Sequence, residues 1–127
     1  MTKELDFDAI KAAAESHRAD MTRFLRAMIS HPSESCEEGE VVACIKAEME
    51  SLGYDEVKVD GLGNVMGFMG EGDKIIAIDS HIDTVGIGNI ENWDADPYEA
   101  TRPTRSSTAA AAPTRRVAWL LLPTLPR

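Results

Sequence analysis

Cysteine is scarce: Cys36 and Cys44 are the only two in 127 residues. They are too few for the disulfide framework of a small secreted domain. Long apolar runs are missing as well. No stretch approaches the roughly 18 residues of a membrane-spanning helix, so no membrane span is expected. The opening Met1-Thr2-Lys3-Glu4-Leu5-Asp6 lacks the basic and then apolar segments of a signal peptide. An excess of basic charge is absent too. Thirteen Lys and Arg stand against 22 Asp and Glu, a net charge of −9, which argues against a nucleic-acid partner. Together these absences point to a cytoplasmic chain with reduced thiols. What is present suffices for one small domain and not for two. Apolar residues make up 43% of the chain, enough for a core.

A second set of absences is local. After Glu99 there is no acid, no histidine, no lysine and no glycine. The 28 residues from Ala100 hold five Arg and four of the six Pro. Residues 1–99 carry all 22 acids against eight basic residues, a balance of −14. The composition therefore divides the chain into an acidic body, 1–99, and a basic Ala/Pro/Thr/Arg tail, 100–127, expected to be disordered.

Within the body, Ile10, Ala13, Ala14, His17, Met21, Phe24, Leu25 and Met28 recur at three- and four-residue spacing, which predicts a helix over 6–29. Asp6 or Asp8 suits its N-cap, and Pro32 closes it. Ser35 followed by Glu38 fits a capping box for a second helix. That helix shows Val41, Val42, Ile45, Met49 and Leu52 on one face and has Gly53 as its terminator. Val57–Val59 and Asn64–Met69 read as strands flanking a turn at Gly61-Leu62-Gly63. Glu71-Gly72-Asp73 reads as a hairpin turn. It leads into Lys74-Ile75-Ile76-Ala77-Ile78, a continuous apolar run expected of a strand buried on both faces. Helices followed by strands give an α/β or α+β domain.

That apolar run ends in Asp79-Ser80-His81-Ile82-Asp83-Thr84-Val85. Open α/β sheets place their sites at the carboxyl ends of strands. In extended backbone, residues two apart face the same side, so His81 and Asp83 can meet. A metal-bound histidine usually gives its second ring N–H to a carboxylate, which fixes the tautomer. His-x-Asp can thus supply a ligand and its orienter, although a hydrogen-bonded structural histidine is the common outcome for such a pattern alone. Other candidates are weaker. His17 falls on a helix, and His31 sits in a loop before Pro32. Cys36 and Cys44 match no compact zinc spacing, and Cys44 shares an apolar helix face with Val41 and Ile45. Trp93 and Tyr98 could line a cleft or simply pack; Asp94, Asp96 and Glu99 read as solvated.

The run from Ile76 to Val85 resembles the first metal-ligand motif of the zinc aminoacylase and deacylase family, which includes acetylornithine deacetylase, succinyl-diaminopimelate desuccinylase and related dipeptidases. The segment Ile29–Ser35 with its following helix, Gly61–Val65, and Gly86–Gly88 through Trp93–Glu99 are similar to further parts of that family. The nearest likeness is to a subgroup called selenium metabolism-linked hydrolases. The resemblance covers residues 1–99. It implies the truncated α/β catalytic domain of a two-zinc aminopeptidase-like hydrolase, with N-terminal helices followed by strands of a mixed sheet. It makes His81 a metal ligand and Asp83 the catalytic-site carboxylate that orients it. The implied cofactor is zinc, two per intact site, with cobalt or manganese possible. The implied substrate is an acylamino acid or dipeptide-like amide, and a homodimer is possible for the intact enzyme.

The family would also need a bridging Asp in a motif like Gly-Arg-Gly-x-x-Asp-x-x-Gly-Gly, a glutamate general base and further ligands. A catalytic zinc takes about three protein ligands. No His or acid follows Glu99, so the chain as written is expected to be inactive. The tail nonetheless conceals the motif. Ala100–Ala118 can be back-translated with permitted codons so that the frame two bases on spells H-E-T-D-E-V-I-Y-G-R-G-G-S-D-Q-E-G-G. One lost G near codon 100 would account for it. Residues 100–127 are therefore expected to be an out-of-frame product. The alternative is a small non-catalytic binding module that uses an acidic body and a basic tail.

Overall fold

The computed structural model describes residues 6–99; the expected tail at 100–127 lies outside the described residues. Three helices come first: α1 Phe7–Ser16, α2 Arg18–Ile29 and α3 Gly39–Ser51. A hairpin of β1 Glu56–Val59 and β2 Val65–Phe68 follows, and a short 3-10 turn occupies Ile90–Asn92. The strands pair antiparallel, with Glu56 opposite Phe68 and Val59 opposite Val65. The architecture is mixed α/β.

The apolar spacing read from the sequence builds the core. Phe24 and Met28 of α2 meet Val41, Val42, Ile45 and Met49 of α3, and Val65 of β2 closes the cluster. Burial of side chains as complete as those of Met28, Val41 and Ile45 contributes about 1.5–3 kcal/mol each. Arg23 and Glu48 tie α2 to α3 at the rim with a two-pronged ion pair.

The single helix expected over 6–29 is two helices, broken at His17. The Ser16 hydroxyl donates to the Ala13 carbonyl at 2.7 Å, a back-bond that bends helices. Asp6 caps α1, accepting from the Ala9 N–H at 2.9 Å. The capping box does not form. Glu38 is the N-cap of α3 without a side-chain cap bond, and its carboxylate accepts from the Cys36 N–H instead. Gly53 takes φ +76° just past the Leu52 cap, as a helix-ending glycine does.

The strand expected at Lys74–Ile78 is absent, and among the described residues a two-stranded antiparallel hairpin stands in place of the expected mixed sheet. Ile75 and Ile76 are 93% and 88% exposed. A strand buried on both faces needs neighbouring strands and a layer on each side. Among the described residues no strand lies beside 74–78. Glu71-Gly72-Asp73 accordingly joins no hairpin.

Candidate metal centre

The segment that carries His81 and Asp83 belongs to no helix or strand. Two things hold it. Ile82 packs inward against the core cluster. The loop between α2 and α3 runs across it: the Thr84 N–H donates to the Ser33 carbonyl at 2.7 Å, and the fully buried Ser33 hydroxyl donates to the Ile82 carbonyl at 3.3 Å. With Ile82 held inward, the side chains of its two neighbours remain 45% and 39% exposed, His81 and Asp83 respectively.

Those neighbours meet. His81 Nδ1 lies 2.7 Å from Asp83 Oδ1. The other carboxylate oxygen, Oδ2, accepts from the Ser35 hydroxyl at 2.8 Å. These bonds hold the Asp83 carboxyl below the usual carboxylate range, the Ser35 hydroxyl first and His81 second. An ionised carboxylate only accepts. The 2.7 Å contact is therefore a hydrogen bond when the ring hydrogen is on Nδ1, the tautomer that leaves Nε2 bare, and Nε2 has no partner among the described residues. This suits one coordination position on a divalent metal. No cluster of three His, Cys, Asp or Glu that could hold a metal occurs among the described residues, so His81 and Asp83 would make up only part of such a site.

The other candidates lie apart from this pair. His17 is half-buried at the junction of α1 and α2. His31 pairs loosely with Glu40 at 3.4 Å. Cys36 is exposed with φ +74°, and Cys44 is half-buried against the core, as its helix face predicts. Trp93 donates its indole N–H to the Ile87 carbonyl at 2.9 Å, which folds the 87–93 loop on itself. Asp94, Asp96 and Glu99 are exposed. The Glu34 carboxylate lies over Gly86, its Oε1 2.8 Å from where a Cβ would stand. Sequence reasoning missed Ser33 and Ser35 as neighbours of the site. Their partners are 48–51 residues away, beyond the reach of local periodicity.

No helix among the described residues is long and apolar enough to cross a membrane. Two relatives match. The uncharacterized protein YgeY of Escherichia coli (strain K12) is 57% identical over 99 residues, covering 78% of this chain and 25% of that protein. Uncharacterized protein YgeY of Escherichia coli O157:H7 matches to the same extent. This chain thus spans about a quarter of the length of the curated relatives it matches. No protein-family model matches. No solved structure gives a significant match.

Proposed function

We propose that residues 1–99 are the N-terminal part of a cytoplasmic, zinc-dependent hydrolase that cleaves amide bonds in acylamino-acid or dipeptide-like substrates, and that the 127-residue chain is itself inactive. The observation that carries this reading is the 2.7 Å contact of His81 Nδ1 with Asp83 Oδ1, which leaves Nε2 free for a metal. In an intact site the metals would polarise the scissile carbonyl and lower the pKa of the attacking water. This chain's part is to hold one ligand in one tautomer.

The test is genetic and enzymatic. The gene is re-sequenced from the Trp93 codon onward. The frame is then restored by one base near codon 100, and the product is assayed with zinc, cobalt or manganese on N-acyl amino acids and dipeptides. A long downstream frame with metal-dependent hydrolysis, lost in His81→Ala, is the expected result. No such frame downstream overturns the out-of-frame reading of the tail. A restored protein that binds a partner identically with His81 and Asp83 both replaced by Ala, and hydrolyses nothing, is a binding module.

A further inference from the structure

Ser35 stands on the loop between α2 and α3, nearly fifty residues from the pair it touches. Asp83 has two carboxylate oxygens and two partners on opposite sides, Ser35 on Oδ2 and His81 on Oδ1. A carboxylate held at one oxygen only can still turn about its terminal torsion, which is broad and soft. Held at both, it has one orientation. The loop that brings Ser35 there is itself fixed. Ser33, two residues earlier, is buried and bonded to Ile82 and Thr84. Cys36, one residue later, takes φ +74°, with its N–H on the Glu38 carboxylate. Ser33 and Ser35 thus grip alternate faces of residues 82–84, one at the core and one at the surface.

We propose that Ser35 is a positioning residue that acts through Asp83 to keep His81 in the Nδ1–H tautomer, with Nε2 bare. The inference rests on the proposed function only for what Nε2 is meant to hold. The tautomer itself needs no metal. Ser35 touches no reacting atom, and its hydroxyl does for Asp83 what Asp83 does for His81. The loop that resembles the family's N-terminal segment is thereby an outer support of the candidate ligand.

The experiment reads the tautomer directly. The full 127-residue chain is labelled with 15N, and the ring nitrogens of His81 are followed by long-range proton–nitrogen correlation at a pH where the imidazole is neutral. The parent chain is expected to show predominantly Nδ1–H. Losing one exposed hydrogen bond in Ser35→Ala should lower the ratio of Nδ1–H to Nε2–H by about two- to fivefold. Ser35→Thr, which keeps the hydroxyl, should restore it, and Asp83→Asn should lower it at least as far as Ser35→Ala. Unchanged amide signals of Val41 and Ile45 show that the core is intact, and Ser35→Cys, a weaker donor of similar size, reads the same loss if the alanine variant unfolds. A parental ratio in Ser35→Ala and Ser35→Cys, with a changed one in Asp83→Asn, overturns the role of Ser35 and leaves the His81–Asp83 pair standing. Zinc added to the same parent sample reads the underlying assignment separately. A shift confined to His81 supports it, while equal shifts at His17, His31 and His81 overturn the metal reading without touching the tautomer result.

Discussion

Gly67 sits where no side chain fits. A Cβ there would stand 2.6 and 2.7 Å from the Tyr54 ring and 2.9 Å from the Met49 sulfur. Gly67→Ala must push the ring off β2 or bend the strand, at a cost of about 1–3 kcal/mol typical of overpacking; a lower urea midpoint with an unchanged slope checks it. Asp60 governs the hairpin turn in a different way. Its carboxylate accepts from the Asn64 side chain and from the backbone N–H groups of Asn64 and Leu62, all at 2.9 Å. These bonds, the Asn64 side chain first, hold its carboxyl below the usual range. The folded state thus favours the ionised form, so the stabilisation is present above the unfolded-state pKa and lost as pH falls through the folded one. Asp60→Asn should therefore destabilise the hairpin at neutral pH, with the difference from the parent closing on acidification. Amide exchange at Leu62 and Asn64 follows it. Sequence reasoning found this turn from its two glycines. It did not find Asp60, because a carboxylate that caps three N–H groups looks like any solvated acid until the backbone is bent. The His81–Asp83 pair was legible, since two-residue spacing in extended chain puts both on one side.

The elements differ in how much core they own. No residue of α1 is buried, and Phe7 and Ile10 lie open to solvent. α3 contributes four core residues and touches both α2 and the hairpin. Local opening costs least where few apolar contacts are lost. Hydrogen exchange should therefore run fastest in α1 and slowest around Val41–Ile45; equal protection of α1 and α3 would contradict this. The helical periodicity of α2 and α3 was readable because their apolar faces are the core. The break at His17 was not, since the spacing runs through it unchanged while a serine hydroxyl bends the backbone beneath. The run Lys74–Ile78 failed as a strand for a reason outside itself: its composition suits a central strand, but pairing and covering are properties of the neighbours.

At the scale of the whole molecule, an acidic body carries exposed apolar chain. Ile75, Ile76 and Ile78 stand together in solvent beside no described strand. Such a run of high β-propensity with unpaired backbone invites edge-to-edge association. The chain should self-associate on warming and with added salt, which screens the repulsion of like charges. Replacing Ile75 and Ile76 by Ser should lower that tendency, seen by light scattering, with little change in the unfolding midpoint. A sharp, monomeric thermal transition in the parent would count heavily against this account.

The crossing of the Ser33–Ser35 loop over residues 82–84 closes a circuit of chain about fifty residues long. Closure entropy grows only with the logarithm of that length, about 0.6 kcal/mol per doubling. The clasp on His81 is thus nearly indifferent to how much chain lies between its two halves. About ten added residues at Gly72, in the exposed stretch after β2, should leave the Ser35–Asp83 bond and the His81 tautomer unchanged. The geometry of the His81–Asp83 pair would then survive changes of loop length that shift everything around it.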